Sequence, residues 1–403
     1  MAFTEAARKG LGRALKALRA HEVKPNSHDL HHLILRWPGY DAQFESSRGW
    51  YTAELLEVTN YKSELVLRLL LLMGRKKGSW RDHSHRKALA LELALRGNEE
   101  VRSSIFASFN CDGELRYADE IVALEGLGGL DWILARVDPE FMIKEAWRFE
   151  SWLEDATAID GESAGNSWKE NAVKSNPLVR RLLDTANRRI QPTKEMPQTE
   201  SYEAMRATSR SSSSKTWFRR AADEEIKKAW RAFEEETDPV WVRKFGLGLD
   251  CRPDLCDPYP IIQRALNWDQ EPNYFGISLS GLDHPSVREL GLELVSKGHV
   301  SSGTWTLRSS VAAGDLPVLI EAASRVVDDS DLHRIGLDFL DYKTVKSEAL
   351  LNWVYEHTPC SFCRNSAVRD MLQHGFITRI ILDECLLDCD PDTRKLAFDA
   401  LGT

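Results

Sequence analysis

Hydrophobic positions along the chain recur with the period of an amphipathic α-helix. Over residues 4–19 the apolar side chains fall at Ala7, Leu11, Ala14, Leu15 and Leu18, while the other face is basic. This spacing places them on one helical face. The same period predicts further helices over 29–35, 41–58, 63–73, 86–95, 99–109, 117–124, 130–136, 140–153 and 217–236. Sustained alternation of period two is missing from the sequence, so the pattern predicts an all-α protein.

A short phrase is repeated at the starts of these segments. It consists of a capping Asp or Asn, a polar step, an Arg and then apolar residues. Clear copies begin at Asp82, Asn98, Asp283 and Asp390, and weaker ones at Asn176, Asp238, Asp329 and around Arg369. Self-similarity at intervals of about 35–47 residues is typical of a helical solenoid, in which each repeat buries its apolar face against its neighbours.

The residue types in the phrase have physical roles. Asp or Asn accepts hydrogen bonds from the free amides of a first helical turn, and Pro285 and Pro391 suit the position that follows. The Arg of each copy is expected to reach the capping Asp of a neighbouring repeat, which would form a charged ladder along the stack. Glycines 126, 128 and 129 are expected to form a turn between helices.

In these residues the chain resembles the HEAT-repeat (armadillo-like) family, whose second helix commonly opens with Asp-x-x-Val-Arg-x-x-Ala. The likeness is best over 283–294 and 390–401 and covers about half of the chain. The resemblance implies an α-solenoid of stacked antiparallel helix pairs with a concave recognition surface. It implies no single activity, because a fold of this kind serves many functions.

A change in composition divides the chain. Residues 191–216 contain Pro192, Pro197 and a run of four serines, with few aliphatic residues. Such a segment buries too little apolar area to offset its ordering entropy. The sequence therefore predicts an N-terminal helical block over 1–190, a flexible basic insert over 191–216 and a C-terminal repeat array over 217–403.

The charge is unevenly distributed. The net charge is −9, yet residues 174–220 carry eleven Lys and Arg against four Asp and Glu, a local net charge of +7. Trp217 and Phe218 lie beside the last basic doublet, and basic residues interleaved with aromatics can bind nucleic acid. The alternative is a solvated linker. The candidate nucleic-acid or anion ligands are Arg180, Arg181, Arg188, Arg189, Arg219 and Arg220.

Cysteines supply the candidate metal site. Seven are present, and neither a secretory signal nor an apolar run long enough to span a bilayer is visible, which predicts a reducing, cytoplasmic setting. Cys360 and Cys363 on one helix and Cys385 and Cys389 on a returning helix would end at nearly the same level. Four such ligands could hold a structural zinc ion. Buried structural thiols and redox chemistry remain the alternatives.

No recognised catalytic motif is present in the sequence: it lacks a Walker-type phosphate loop, a Gly-x-Ser-x-Gly elbow and a His-Glu-x-x-His pair. We therefore expect a non-catalytic scaffold or adaptor that binds a protein partner through a solenoid surface. The second hypothesis is nucleic-acid binding by the basic stretch. The third is an enzyme resembling the HEAT-like DNA glycosylases, which would need a Trp, an Asp and an Arg converging in one cleft.

Overall fold

The protein is all-helical. The computed structural model describes residues 3–36, 48–73, 79–109, 115–189, 201–208, 214–255, 257–267, 274–342 and 345–402, with only the backbone described at 186–189, 207–208 and 214–216. These residues form 26 α-helices and two short 3-10 turns, and no β-strand longer than one bridging residue occurs among them. This confirms the predicted fold class at the level of an all-α protein. Within the described ranges, no helix is both long and apolar enough to cross a membrane.

The helices group into two compact units. Unit 1 comprises residues 1–194 and 380–403, and unit 2 comprises residues 195–379. The helices of unit 1 are α1 (Phe3–Lys9), α2 (Gly12–Arg19), α3 (Ser27–Leu35), α4 (Gly49–Glu57), α5 (Lys62–Met73), α6 (Trp80–Leu95), α7 (Glu99–Ala107), α8 (Ala118–Leu134), α9 (Pro139–Lys144), α10 (Ala146–Asp160), α11 (Glu162–Ser175), α12 (Pro177–Arg189), α25 (Arg379–Cys385) and α26 (Pro391–Leu401). Those of unit 2 are α13 (Tyr202–Thr208), α14 (Ser214–Arg220), α15 (Asp223–Glu235), α16 (Pro239–Leu249), α17 (Pro258–Leu266), α18 (Tyr274–Ile277), α19 (Pro285–Ser296), α20 (Val300–Thr306), α21 (Leu316–Ala323), α22 (Asp329–Asp341), α23 (Glu348–His357) and α24 (Ser361–His374).

Unit 1 brings the first and last helices of the chain together. The backbone N–H of Cys389 donates to the carbonyl of Gly10 at 2.9 Å, and Arg13 forms an ion pair with the buried carboxylate of Glu384 at 2.6 Å. At Gly12 an added Cβ would lie only 1.9 Å from the carbonyl oxygen of Glu384. Helices α25 and α26 therefore group with the N-terminal helices. The sequence instead predicts them as part of the C-terminal array over 217–403.

The helices of unit 2 contact one another in two series. Helices α15, α17, α19, α21 and α23 pack in turn along one series, and α14, α16, α18, α20, α22 and α24 along the other. The first series begins at residues 223, 258, 285, 316 and 348, a spacing of about 30 residues. This is shorter than the interval expected from the repeated phrase. Each helix thus packs on the second helix along the chain, and several also pack on a sequence neighbour.

The predicted flexible insert is partly ordered. Helix α13 lies inside it and contributes Tyr202 and Met205 to the core of unit 2, where they are 8% and 2% exposed. The side chain of Arg206 on the same helix pairs with Glu236 at 2.7 Å. The remainder of the insert, over 191–200 and 209–213, lies outside the described residues. An aromatic and a Met are enough to dock this helix even though the surrounding composition is polar.

Several predicted caps are confirmed and others are shifted. The side chains of Asn98, Asp138, Asp238 and Asp390 accept hydrogen bonds from the first turns of α7, α9, α16 and α26. Asp82 lies inside α6, which Ser79 caps three residues earlier, and His284 takes the capping position expected for Asp283. The predicted helix over 217–236 is interrupted between α14 and α15.

The expected arginine ladder is realised at Arg288, whose guanidinium binds both carboxylate oxygens of Asp315, at 2.8 and 2.5 Å. Asp315 directly precedes α21, the next helix of the same series. Two other arginines of the phrase have different partners. Arg102 pairs with Glu125, while Arg394 donates to the carbonyls of Asp388 and Cys389. The Arg is thus a local structural residue whose partner varies from copy to copy.

Candidate functional sites

A polar cleft lies where four helices of one series end in unit 2. Asp250 follows α16, Ser280 follows α18, Arg308 follows α20, and Asp341 is the last residue of α22. With Gly281 and Ser309 they line a cavity of about 330 Å³. Because packed helices of one series end at the same side of the unit, residues about 30 positions apart in sequence meet there.

Arg308 is the centre of this cleft. It forms an ion pair with Asp341, and its Nε lies 3.4 Å from a carboxylate oxygen of Asp338. Its guanidinium also lies 5.3 Å from the centre of the Trp305 ring. On the opposite side of the cleft, the hydroxyl of Ser280 donates to Asp250. The lining groups therefore carry two acidic charges against one basic charge.

Asp338 lies behind the cleft and is fully buried, at 2% exposure. The hydroxyl of Thr304 donates to it at 2.9 Å. Burial raises the pKa of Asp338 to about 8, although Arg308 and the Thr304 hydrogen bond both oppose this shift. The carboxyl group therefore titrates near neutral pH, which is uncommon for an aspartate.

Three buried hydroxyl groups lie close in sequence to Arg308 and Asp338. The side-chain oxygens of Ser309, Ser310 and Tyr342 have no hydrogen-bond partner within the described part of the chain. Burial raises the pKa of Tyr342 well above its usual value, so the phenol stays protonated. Buried polar atoms of this kind require a partner, and Ser309 lines the cleft, where a ligand or water can supply one.

A second constellation lies between α22 and α24. Cys360 occupies the N-cap position of α24 and Cys363 lies in its first turn, while His333 projects from α22. The Nδ1 atom of His333 and the Sγ atom of Cys363 are 3.5 Å apart, and the ligand atoms of all three side chains lie within 4.8 Å of one another. Both cysteines are 1% exposed.

A hydrogen bond couples the two thiols. A hydrogen bond from Cys363 lowers the pKa of Cys360 to about 4, with a smaller contribution from His333, and the same hydrogen bond raises the pKa of Cys363. Both cysteines are reduced. These opposite shifts favour deprotonation of Cys360 before Cys363.

The four predicted zinc ligands belong to two units. Cys360 and Cys363 lie in unit 2, whereas Cys385 and Cys389 belong to unit 1, where Cys389 is part of the hydrophobic core. The four-cysteine site therefore stays a prediction. His333 was not among the predicted ligands, because nothing within its own helix marks it; the signal is its position, 30 residues before Cys363, which matches the repeat spacing.

The predicted anion-binding arginines are divided between the two units. Arg181 forms an ion pair with Glu140 at 3.0 Å, and Arg180 donates to the carbonyl of Val173. Arg219 and Arg220 are exposed on α14 in the other unit, and the side chains of Arg188 and Arg189 lie outside the described residues.

The aromatic neighbours of the last basic doublet have a structural role. Trp217 and Phe218 are 8% and 0% exposed and pack into the core of unit 2. They are therefore unavailable for base stacking.

Comparison of the chain with models of protein families, with curated proteins and with solved structures found no match.

Proposed function

We propose that unit 2 is a HEAT-like α-solenoid and that the protein is a non-catalytic scaffold that binds a protein partner. The support for a solenoid is the pair of helix series, in which each helix packs on the second helix along the chain at a spacing of about 30 residues. Stacked helices of this kind present their ends and edges as a continuous surface, which is how such proteins bind extended segments.

The choice of a basic polypeptide as the partner depends on one observation, the cleft at the ends of α16, α18, α20 and α22. Its charged lining is Asp250, Arg308 and Asp341, which gives a net charge of −1. The C-terminal ends of α16 and α22 add negative potential, because helix carbonyls point in that direction. The occupant that suits this cleft is a polypeptide segment carrying a Lys or Arg, with backbone groups that can bond the hydroxyl of Ser309.

A nucleic acid suits the same cleft poorly. A phosphate backbone would meet two carboxylates and a guanidinium that Asp341 already neutralises. The basic stretch offers little compensation, since Arg181 is paired and Trp217 is buried. Trp305, Arg308 and Asp338 do lie near one another, as a glycosylase would require. Asp338 is fully buried behind Arg308, however, where it cannot contact a substrate.

The proposal is tested by selecting ligands for the whole chain from a random peptide library. We expect the selected peptides to be enriched in Lys and Arg. Affinity for them should fall about tenfold in the double variant Asp250→Asn and Asp341→Asn, because two partly exposed pairs of roughly 0.7 kcal/mol each are lost. The matched control is Glu321→Gln, which removes one exposed acidic charge from α21, outside the cleft.

Two results would contradict the proposal. One is selection of peptides whose binding is unchanged in the double variant. The other is strong, salt-dependent retention of DNA or RNA that is lost when Arg180, Arg181, Arg219 and Arg220 are replaced by Gln, which would favour the nucleic-acid hypothesis.

A further inference from the structure

We propose that His333, Cys360 and Cys363 bind a zinc ion. The three side chains come from two packed helices, and their nitrogen and two sulfur atoms converge within 4.8 Å. Imidazole nitrogen and thiolate sulfur are the ligands that zinc takes most often in proteins. This set differs from the four-cysteine site expected from the sequence, since it contains a histidine and lies wholly inside unit 2.

The geometry of the three side chains suits a tetrahedral ion. With Zn–S bonds of about 2.3 Å and Zn–N bonds of about 2.0 Å, a tetrahedral site separates its sulfur and nitrogen ligands by about 3.5 Å. The Sγ atom of Cys363 and the Nδ1 atom of His333 are 3.5 Å apart. The other ligand pairs lie within 4.8 Å, so the site closes around an ion with a shift of about 1 Å at most.

The positions of the ligands follow from the helix arrangement. Cys360 at the N-cap and Cys363 three residues later lie on one side of the first turn of α24, as spacing of i and i+3 requires. His333 lies in the second turn of α22, which packs against α24. The CxxC pair is therefore completed by a residue from the neighbouring helix of the same series.

Charge balance also favours a metal. Two thiolates buried together would be strongly unfavourable, whereas two thiolates with one Zn²⁺ and a neutral imidazole carry no net charge. Burial argues against the redox alternative, because thiols at 1% exposure cannot be reached by the thiolate of another protein. A small ion has no such restriction, and His333 is only partly buried.

Three protein ligands leave a fourth coordination position for water or an exogenous ligand. The proposal assigns no reaction to that position. It does predict that a small thiolate or imidazole added from solution can occupy it without displacing the ion.

The test is metal analysis of the full chain after exposure to zinc and removal of weakly bound ions. We expect one equivalent of zinc per chain in the wild type, and substoichiometric zinc in His333→Gln, Cys360→Ser and Cys363→Ser. Substitution by Co²⁺ should produce thiolate-to-cobalt charge-transfer absorption in the wild type that weakens in each of these variants. The matched control is Cys251→Ser, which removes an exposed thiol from the same unit.

The His333→Gln variant keeps the test decisive if a buried Cys→Ser variant fails to fold, because His333 is only partly buried. Cys385→Ser should keep its zinc. Loss of zinc in Cys385→Ser, full retention in His333→Gln, or a wild-type chain that binds no zinc and forms a Cys360–Cys363 disulfide would each overturn the proposal.

Discussion

At the scale of single residues, Asp338 shows how burial sets the pKa of a carboxyl group. Arg308 and the hydrogen bond from Thr304 contribute most to stabilising its charged form. The loss of hydration outweighs both, so the pKa lies near 8 rather than at the usual value for aspartate. A protonated carboxyl group accepts hydrogen bonds at one oxygen and donates at the other.

This aspartate makes stability depend on pH. Because the pKa of Asp338 is raised to about 8 in the folded protein from its ordinary value of 3.8, the native state keeps a proton that the unfolded state loses between these two pH values. Stability is therefore expected to fall as pH rises through this window, by at most about 1.4 kcal/mol per pH unit. Asp338→Asn, which is always neutral, should lose this dependence and gain stability relative to the wild type at about pH 8 but not at about pH 5.

The free energy of unfolding in urea at a series of pH values checks this expectation. Asp341→Asn is the matched control, because that carboxylate is exposed and lies on the same helix. A constant difference between Asp338→Asn and the wild type across the whole pH range would show that Arg308 keeps Asp338 charged.

At the scale of elements, close helix contacts in unit 1 depend on glycine. Gly12 begins α2 and lies against the backbone of Glu384 at the end of α25. A Cβ at 1.9 Å from a carbonyl oxygen cannot be accommodated without separating the first and last helices of the chain. The contact therefore explains why these distant segments of sequence belong to one unit.

We expect Gly12→Ala to destabilise the protein by about 1–3 kcal/mol, the usual range for overpacking. Gly128→Ala is the control, because that glycine is exposed within α8 with nothing near its would-be Cβ. The control should be neutral or stabilising by up to about 1 kcal/mol. Thermal unfolding of both variants measures the difference, and equal melting temperatures would contradict the observed packing.

The helices that could be predicted from the sequence are those whose starts and buried faces are determined by neighbouring residues. Asp138 before Pro139 marked the start of α9, and Ala7, Leu11, Ala14 and Leu15 marked a buried face, because capping and periodicity depend on nearby residues. The cap prediction at Asp82 was wrong because α6 begins earlier, at Trp80, and Ser79 accepts a hydrogen bond from the backbone N–H of Asp82 itself. His333 and Arg308 could not be identified in advance, since their roles depend on helices about 30 residues away.

At the scale of the molecule, the proposed function requires that unit 2 be a stack of helices whose ends form a binding surface. The cleft is assembled by α16, α18, α20 and α22, and the thiol cluster by α22 and α24 of the same series. Both sites therefore depend on the same repeated packing. A zinc ion between α22 and α24 would fix the end of the series to which Asp341 belongs, while the cleft would carry recognition.

Hydrogen exchange of the full chain, with and without a selected basic peptide, tests the proposed binding surface most directly. Binding should slow exchange of backbone amides around Asp250, Ser280, Arg308 and Asp341, four positions that are far apart in sequence and adjacent in the proposed surface. The same peptide should leave exchange across 174–189 unchanged. Protection confined to that basic stretch, or to one of the four positions alone, would contradict the account.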